Sequence, residues 1–230
     1  MSATVGIGSE EVNVAGDLMA LLASEDLGDN LRAVNQARYL QPEACWQVLS
    51  QAAQHPNARV RYAAISQMGS LKLADPAPIA ACLRQALQSD PEFDVRAAAA
   101  ASLGDLKYPN TLPDLMAAYA REQEWLVQFS IMAALGELRD PGAFDLIAST
   151  LESGNELVRT AAIAALGDLG DERAIPKLAP WIRDPDWQLR YRLAIALGQI
   201  GTAAAQELLQ QLSQDPDPRV AQQASALLQP

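Results

Sequence analysis

The sequence predicts an all-α chain, a solenoid of stacked helical hairpins. Three observations carry this reading. One pattern recurs along the chain: an aliphatic residue, Arg, an Ala-rich apolar stretch, then Leu-Gly. It is clearest at Val158–Gly167 and at Leu189–Gly198. The glycines that close successive copies, Gly69, Gly104, Gly136, Gly167 and Gly198, are separated by 35, 32, 31 and 31 residues. A fixed period of that size marks a repeat architecture, because a single hairpin cannot bury its apolar face without neighbours. Finally, 50% of the residues are hydrophobic but only 5% are aromatic. Much of the apolar share is alanine, the best helix former and a residue that lets helices approach closely. The expected architecture is an α-α superhelix of about six to seven hairpins with atypical terminal repeats.

The elements follow in order. Residues 1–12 are small and polar and read as a flexible N-terminal segment; residues 13–230 read as a single repeat domain. Glu10 to Ala23 is an amphipathic helix with Val14, Leu18, Leu21 and Leu22 on one face, and Gly28 is expected to break it. Leu31-Arg32 to Tyr39-Leu40 is a degenerate copy that ends without Leu-Gly. Regular units follow, each a first helix, a polar loop and a second helix carrying the pattern. First helices are expected at Pro42–Ala53, Pro78–Gln88, Leu112–Arg121, Gly142–Leu151, Ala174–Ile182 and Ala203–Leu212. Proline is tolerated in a first turn because that N–H has no helical partner. Second helices are expected to open at Ala58, Phe93, Trp125, Glu156, Trp187 and Pro218. The last copy has Ala221 in the Arg position and no closing glycine, as suits a C-terminal cap. The closing glycines have two readings: a left-handed helix C-terminus, or close approach of the next unit.

Within each second helix, the residues one before and three, four and seven after the Arg position are apolar. Val60, Ala64, Ile65 and Met68 form one such stripe; Leu189, Leu193, Ala194 and Leu197 form another. This is a helical face turned to a shared core. The arginines Arg61, Arg96, Arg159 and Arg190 recur, with Gln128 and Ala221 in their place elsewhere, and an acid such as Asp184 often stands six residues before. Asn57, Asn155, Asp186 and Asp217 stand four before and are N-cap types. The preferred role for these arginines, with Asp184, is an inter-repeat lock made with loop carboxylates and carbonyls. A row of ligand-binding arginines is the alternative.

The units Asp-Pro-x-x-x-Leu-Arg to Ala-Leu-Gly at 184–198, and Asn-x-x-Val-Arg to Ala-Leu-Gly-Asp-Leu-Gly at 155–170, resemble HEAT-type repeats. More narrowly, they resemble the short variety of roughly 31 residues in the phycobilin lyase-related HEAT-like family. The resemblance spans about residues 29–229 and points to the single-chain, phycobilisome-degradation (NblB-like) branch. It implies a HEAT-type solenoid, a cyanobacterial cytoplasmic setting, and phycocyanin or allophycocyanin as partner. It also implies phycocyanobilin as a ligand rather than a resident cofactor. In bilin attachment the acceptor Cys belongs to the phycobiliprotein, so a lyase-like relative needs only to bind and orient the bilin.

In such solenoids the second helices line a concave face used for binding. The residue after the Arg position is Tyr62, Phe129 or Tyr191 in three copies, with Ala33, Ala97 and Thr160 in others. The opening residue of the second helix is Phe93, Trp125 or Trp187 in three copies. Six of the twelve Phe, Trp and Tyr residues thus fall at two repeat positions, and clustered aromatics suit a binding hot spot. The opening aromatics have a structural reading too, as covers of the inter-repeat core. Arg192 adds a carboxylate-pairing cation beside Tyr191.

The formal charge of −11 argues against nucleic acid and anionic membrane surfaces. Cys45 and Cys82 are too far apart for a paired motif and read as small buried hydrophobes in a reducing compartment. No signal peptide is evident, and no stretch approaches the roughly 20 apolar residues of a membrane span. His55 is the only histidine and reads as a loop cap. No catalytic residue and no metal site are expected. The function expected is binding: recognition of a phycobiliprotein or its bilin in phycobilisome turnover or bilin handling. The alternatives are a lyase-type enzyme that attaches or detaches phycocyanobilin, and a generic assembly scaffold.

Overall fold

The computed structural model describes residues 9–228. Residues 1–8 and 229–230 lie outside the described residues, and with them most of the segment expected to be flexible. Among the described residues the chain is helical throughout, with no strand. Its helices are α1 (Ser9–Leu22), α2 (Leu27–Ala37), α3 (Pro42–Ala52), α4 (Ala58–Met68), α5 (Ala77–Ser89), α6 (Phe93–Leu106) and α7 (Thr111–Arg121). The series continues with α8 (Trp125–Leu138), α9 (Phe144–Thr150), α10 (Glu156–Leu169), α11 (Ile175–Leu178), α12 (Trp187–Ile200), α13 (Ala203–Leu212) and α14 (Pro218–Leu227). All six second helices open at the residues the sequence indicates. Among the described residues no helix is long and apolar enough to cross a membrane.

The chain forms two compact units, residues 1–111 and 112–230. In the first, α1, α3 and α5 pack in succession as one layer, and α2, α4 and α6 as the other. In the second, α8, α10, α12 and α14 pack in succession, with α9 against α10 and α13 against α12 and α14. This is the hairpin stacking of an α-α solenoid, and the apolar stripe explains it. Val60, Ala64 and Met68 are 0% exposed, as are Val158, Ala162, Ile163 and Leu166. Full burial of each larger side chain contributes roughly 1.5–3 kcal/mol. The loop Asn and Asp residues cap the second helices: Asn155 Oδ1 accepts from the N–H groups of Leu157 and Val158, and Asp186 Oδ1 from that of Gln188.

Three local expectations are corrected. Gly28 does not break the chain; it lies in the first turn of α2, whose N-cap Asp26 accepts from the Asp29 N–H. The pattern glycines Gly136 and Gly167 do not end their helices, which run on to Leu138 and Leu169. The left-handed residues that end α6, α8, α10 and α12 come three positions after the glycine: Lys107, Arg139, Gly170 and Gly201. Close approach is what the pattern glycine serves: a Cβ on Gly167 would stand 2.6 Å from Ala196 Cα. Finally, the helix expected over Ala174–Ile182 is broken into 3-10 turns at Glu172–Ala174 and Ala179–Arg183 around the four-residue α11. Pro176 and Pro180 each remove a backbone donor there, which weakens a continuous α-helical ladder.

Candidate binding site

The loops before the second helices are pinned by the repeat arginines, and this fixes the first turns from which the candidate aromatics project. Arg61 on α4 reaches forward to the next loop: Nε and Nη2 donate to Asp90 Oδ2 and Oδ1 at 2.7 and 2.8 Å. Its Nη1 donates to the carbonyls of His55 and Pro56 in its own loop, both at 3.0 Å. Arg190 on α12 does the same, with Asp215 at 2.7 and 2.8 Å and the carbonyls of Asp184 and Pro185 at 2.6 and 3.2 Å. Arg96 Nη1 donates to the carbonyls of Asp90 and Pro91. Burial pushes the Asp90 carboxyl up, but the hydrogen bonds from Arg61 and the Glu92 N–H outweigh it, and the carboxyl lies below the usual range. The hydrogen bond from Arg190 lowers Asp215 in the same way, against its burial. Asp184 enters through its carbonyl; its carboxylate accepts from the Asp186 N–H instead. Arg159 Nη1 donates to the Ser153 carbonyl, and its guanidinium lies 5.0 Å from the centroid of the Trp181 ring.

Each unit holds one groove built around the tyrosine that follows a pinned arginine. In the second unit Trp187, Gln188, Tyr191, Arg192 and Ile195 of α12, with Arg219 of α14, line an open groove of ≈ 450 Å³. Three of the sequence candidates, Trp187, Tyr191 and Arg192, thus meet at one place. The Tyr191 hydroxyl donates to Gln223 Oε1 at 3.1 Å, which fixes the ring against α14. Arg219 stacks on Trp187, with its guanidinium carbon 3.3 Å from the ring centroid. It also pairs with Asp217, and that hydrogen bond holds the Asp217 carboxyl at about 2. The charge of Arg219 is therefore already compensated at neutral pH. Arg192 is exposed and makes no ion pair among the described residues, so it is the cation the groove offers.

In the first unit Tyr62 and Arg59 of α4 share a smaller groove of ≈ 300 Å³ with Ala58, Glu92, Asp94 and Val95. Tyr62 is 48% exposed. The position after the arginine is not always at the surface, however: Ala33 and Ala97 are buried. Phe129 is half-buried, and Phe93 and Trp125 are exposed at the starts of α6 and α8.

Sequence reasoning missed Arg219. Its signal is its place two residues before Ala221, the counterpart of Arg59 in the α4 copy. His55 Nδ1 accepts from the Asn57 N–H in the loop before α4. Burial pushes the thiols of Cys45 and Cys82 up, away from thiolate and from nucleophilic reactivity. Among the described residues no group of three or more His, Cys, Asp or Glu side chains is placed to hold a metal ion.

Comparison with known proteins adds the following. The family of HEAT repeats matches residues 47–134, 80–154, 119–185 and 176–228. No curated protein matches the sequence significantly. Among solved structures, the chain is similar to one from the complex of CpcE and CpcF of phycocyanin lyase from Nostoc sp. PCC7120. The TM-score is 0.62 and the identity 22%, covering 99% of this chain and 97% of that one. Human deoxyhypusine hydroxylase in complex with glycerol gives a TM-score of 0.41 at 20% identity, covering 95% and 97%.

Proposed function

The chain belongs to the HEAT-repeat family, and from that premise we propose that it is a binding protein that recognises a phycobiliprotein or its bilin and acts in phycobilisome turnover or bilin handling. The observation that carries this reading is the α12–α14 groove, where Trp187, Tyr191 and an uncompensated Arg192 converge. A bilin has a long conjugated system and two propionates. Aromatic faces suit the first, and a guanidinium suits the second. The likeness to a phycocyanin lyase chain supports the same direction, as do the repeat motifs at 155–170 and 184–198.

Titration of the purified chain with phycocyanobilin, followed by visible absorbance, and with holo- and bilin-free phycocyanin and allophycocyanin, followed by calorimetry, tests the reading. Binding to at least one is expected. Trp187→Ala and Tyr191→Ala should each weaken it by about thirty-fold or more, since an anchor contributes about 2 kcal/mol or more. Absence of association with all five would refute the proposal. The phycocyanin lyase likeness favours one second reading, a lyase-type enzyme. Incubation with holo-phycocyanin separates the two: a growing or shrinking pool of covalently attached bilin supports the enzyme, and an unchanged spectrum over hours supports binding alone.

A further inference from the structure

Within the second unit one repeat arginine departs from the others. Arg61 and Arg190 use the whole guanidinium: Nη1 on the carbonyls of their own loop, Nε and Nη2 on the carboxylate of the next. Arg159 makes only the first of these contacts, from Nη1 to the Ser153 carbonyl at 3.0 Å. Its Nε is buried without any acceptor. Asp184 occupies the sequence place of Asp90 and Asp215, yet its carboxylate does not pair with Arg159. Asp184 accepts the Asp186 N–H at 2.8 Å, but Asp90 and Asp215 accept the N–H groups of Glu92 and Asp217 in the same way and still pair, so this bond is not what separates it from Arg159.

The cause lies three residues upstream. Asp90 and Asp215 follow Leu87 and Leu212, buried leucines at the ends of α5 and α13. Asp184 follows Trp181, within the 3-10 turn Ala179–Arg183. The half-buried indole lies against the Arg159 guanidinium where the other copies bring in a carboxylate. A buried guanidinium edge without an acceptor is disfavoured, and an orphaned buried donor calls for an explanation such as a ligand.

We infer that the Nε–Nη2 edge of Arg159, beside Trp181, is a binding site for a carboxylate brought by a ligand. The Ser153 carbonyl anchors Nη1, so an incoming carboxylate meets a planar two-point fork once the Trp181 indole moves off it. One oxygen docks on Nη2 and the other on Nε as the indole tilts aside. The site shares no lining residue with the Trp187–Tyr191 groove and does not rest on the function proposed above.

Arginine Nε–H resonances of the full chain, assigned by through-bond connectivities, provide the test. Acetate and a glutamate-containing tripeptide are the probes, with sodium chloride at matched ionic strength as reference. The expected result is a saturable shift of the Arg159 Nε–H with one or both probes, while those of Arg61 and Arg190 stay in place. A response to both assigns the site to the carboxylate alone, and a response only to the tripeptide assigns it to a peptide-borne carboxylate. No saturable shift, or the same shift at all three arginines, would overturn the inference. Asp184→Asn supplies a second arm: if it alone moves the Arg159 resonance as a ligand should, Asp184 fills the fork in solution and the inference fails. Arg159→Lys should remove the resonance and, with the fold checked by circular dichroism, leave acetate without a saturable target.

Discussion

Substituting Gly167 by alanine should loosen the joint between α10 and α12. An added Cβ would lie 2.6 Å from Ala196 Cα, 2.8 Å from Ala196 Cβ and 2.5 Å from Gln199 Oε1. The glutamine can rotate away, but the Ala196 backbone cannot. Ordinary contacts begin near 3.4 Å, so the two helices must part by roughly 1 Å along that line, and overpacking of this kind costs about 1–3 kcal/mol. The substitution also gains about 1 kcal/mol of helix propensity, because Gly167 is inside α10. The net expectation is a loss of up to about 2 kcal/mol, or a Tm lower by up to roughly 8 °C for a chain of this size. Gly154→Ala is the control, since nothing lies within 4 Å of its added Cβ. Urea unfolding followed by far-UV circular dichroism measures both variants. Hydrogen exchange should place the loss in α10 and α12, because stacked repeats couple chiefly to their neighbours. A Gly167→Ala protein more stable than the wild type by the whole helix-propensity gain of about 1 kcal/mol would show that the glycine does not set the helix spacing.

Other outcomes follow from the same geometry. Asp215→Asn removes one partner of a pair whose side chains are 10% and 4% exposed, and should cost about 3 kcal/mol at neutral pH in urea unfolding. Because Asp215 has a lowered folded-state value, its contribution is complete above the unfolded carboxylate value of about 4 and disappears as pH falls through the folded one. The gap in urea midpoint between wild type and Asp215→Asn should therefore stay constant well above about pH 4 and narrow as pH falls below it; a gap that does not narrow would contradict the ion pair. Asn155→Ala removes the cap on two N–H groups of α10 and should cost about 1 kcal/mol by the same measurement. Gly170→Ala should cost about 1–2 kcal/mol through backbone strain alone, because φ is 68° and no neighbour crowds the site.

The repeat and the starts of the second helices were legible because each rests on a local signal. A cap residue, an aliphatic residue and Arg recur at fixed spacing, and the stripe they introduce is buried. Helix ends were less legible. Leu-Gly marks a close approach that resembles a C-cap in sequence, and the real stop comes three residues later, at Gly170 and Gly201 in two cases and at Lys107 and Arg139 in two others. Of the candidate site, Trp187, Tyr191 and Arg192 could be named in advance because they share one helix face. Arg219 could not, since its stacking on Trp187 depends on how α14 is rotated against α12.

The forward reach of the repeat arginine also has a sequence trace, visible once its direction is known. The relevant acid is the one six residues before the following copy, not the arginine's own. Arg61 and Arg190 have Asp90 and Asp215 there, and both pair with them. Arg32 has His55 there, and turns instead to Asp29 on its own helix. Gln128 stands where the following loop offers Ser153, and its amide keeps only the backward bond, to the Glu122 carbonyl at 2.8 Å. Arg61 and Arg190 thus meet the carboxylate ahead, Gln128 stands where none is offered, and Arg32 keeps its charge by pairing within its own helix. Arg159 is the informative exception: the acid ahead is present, but Trp181 holds the guanidinium in its place. Arg61 and Arg190 spend the Nε–Nη2 edge on a neighbouring carboxylate, whereas the Nε of Arg159 has no acceptor.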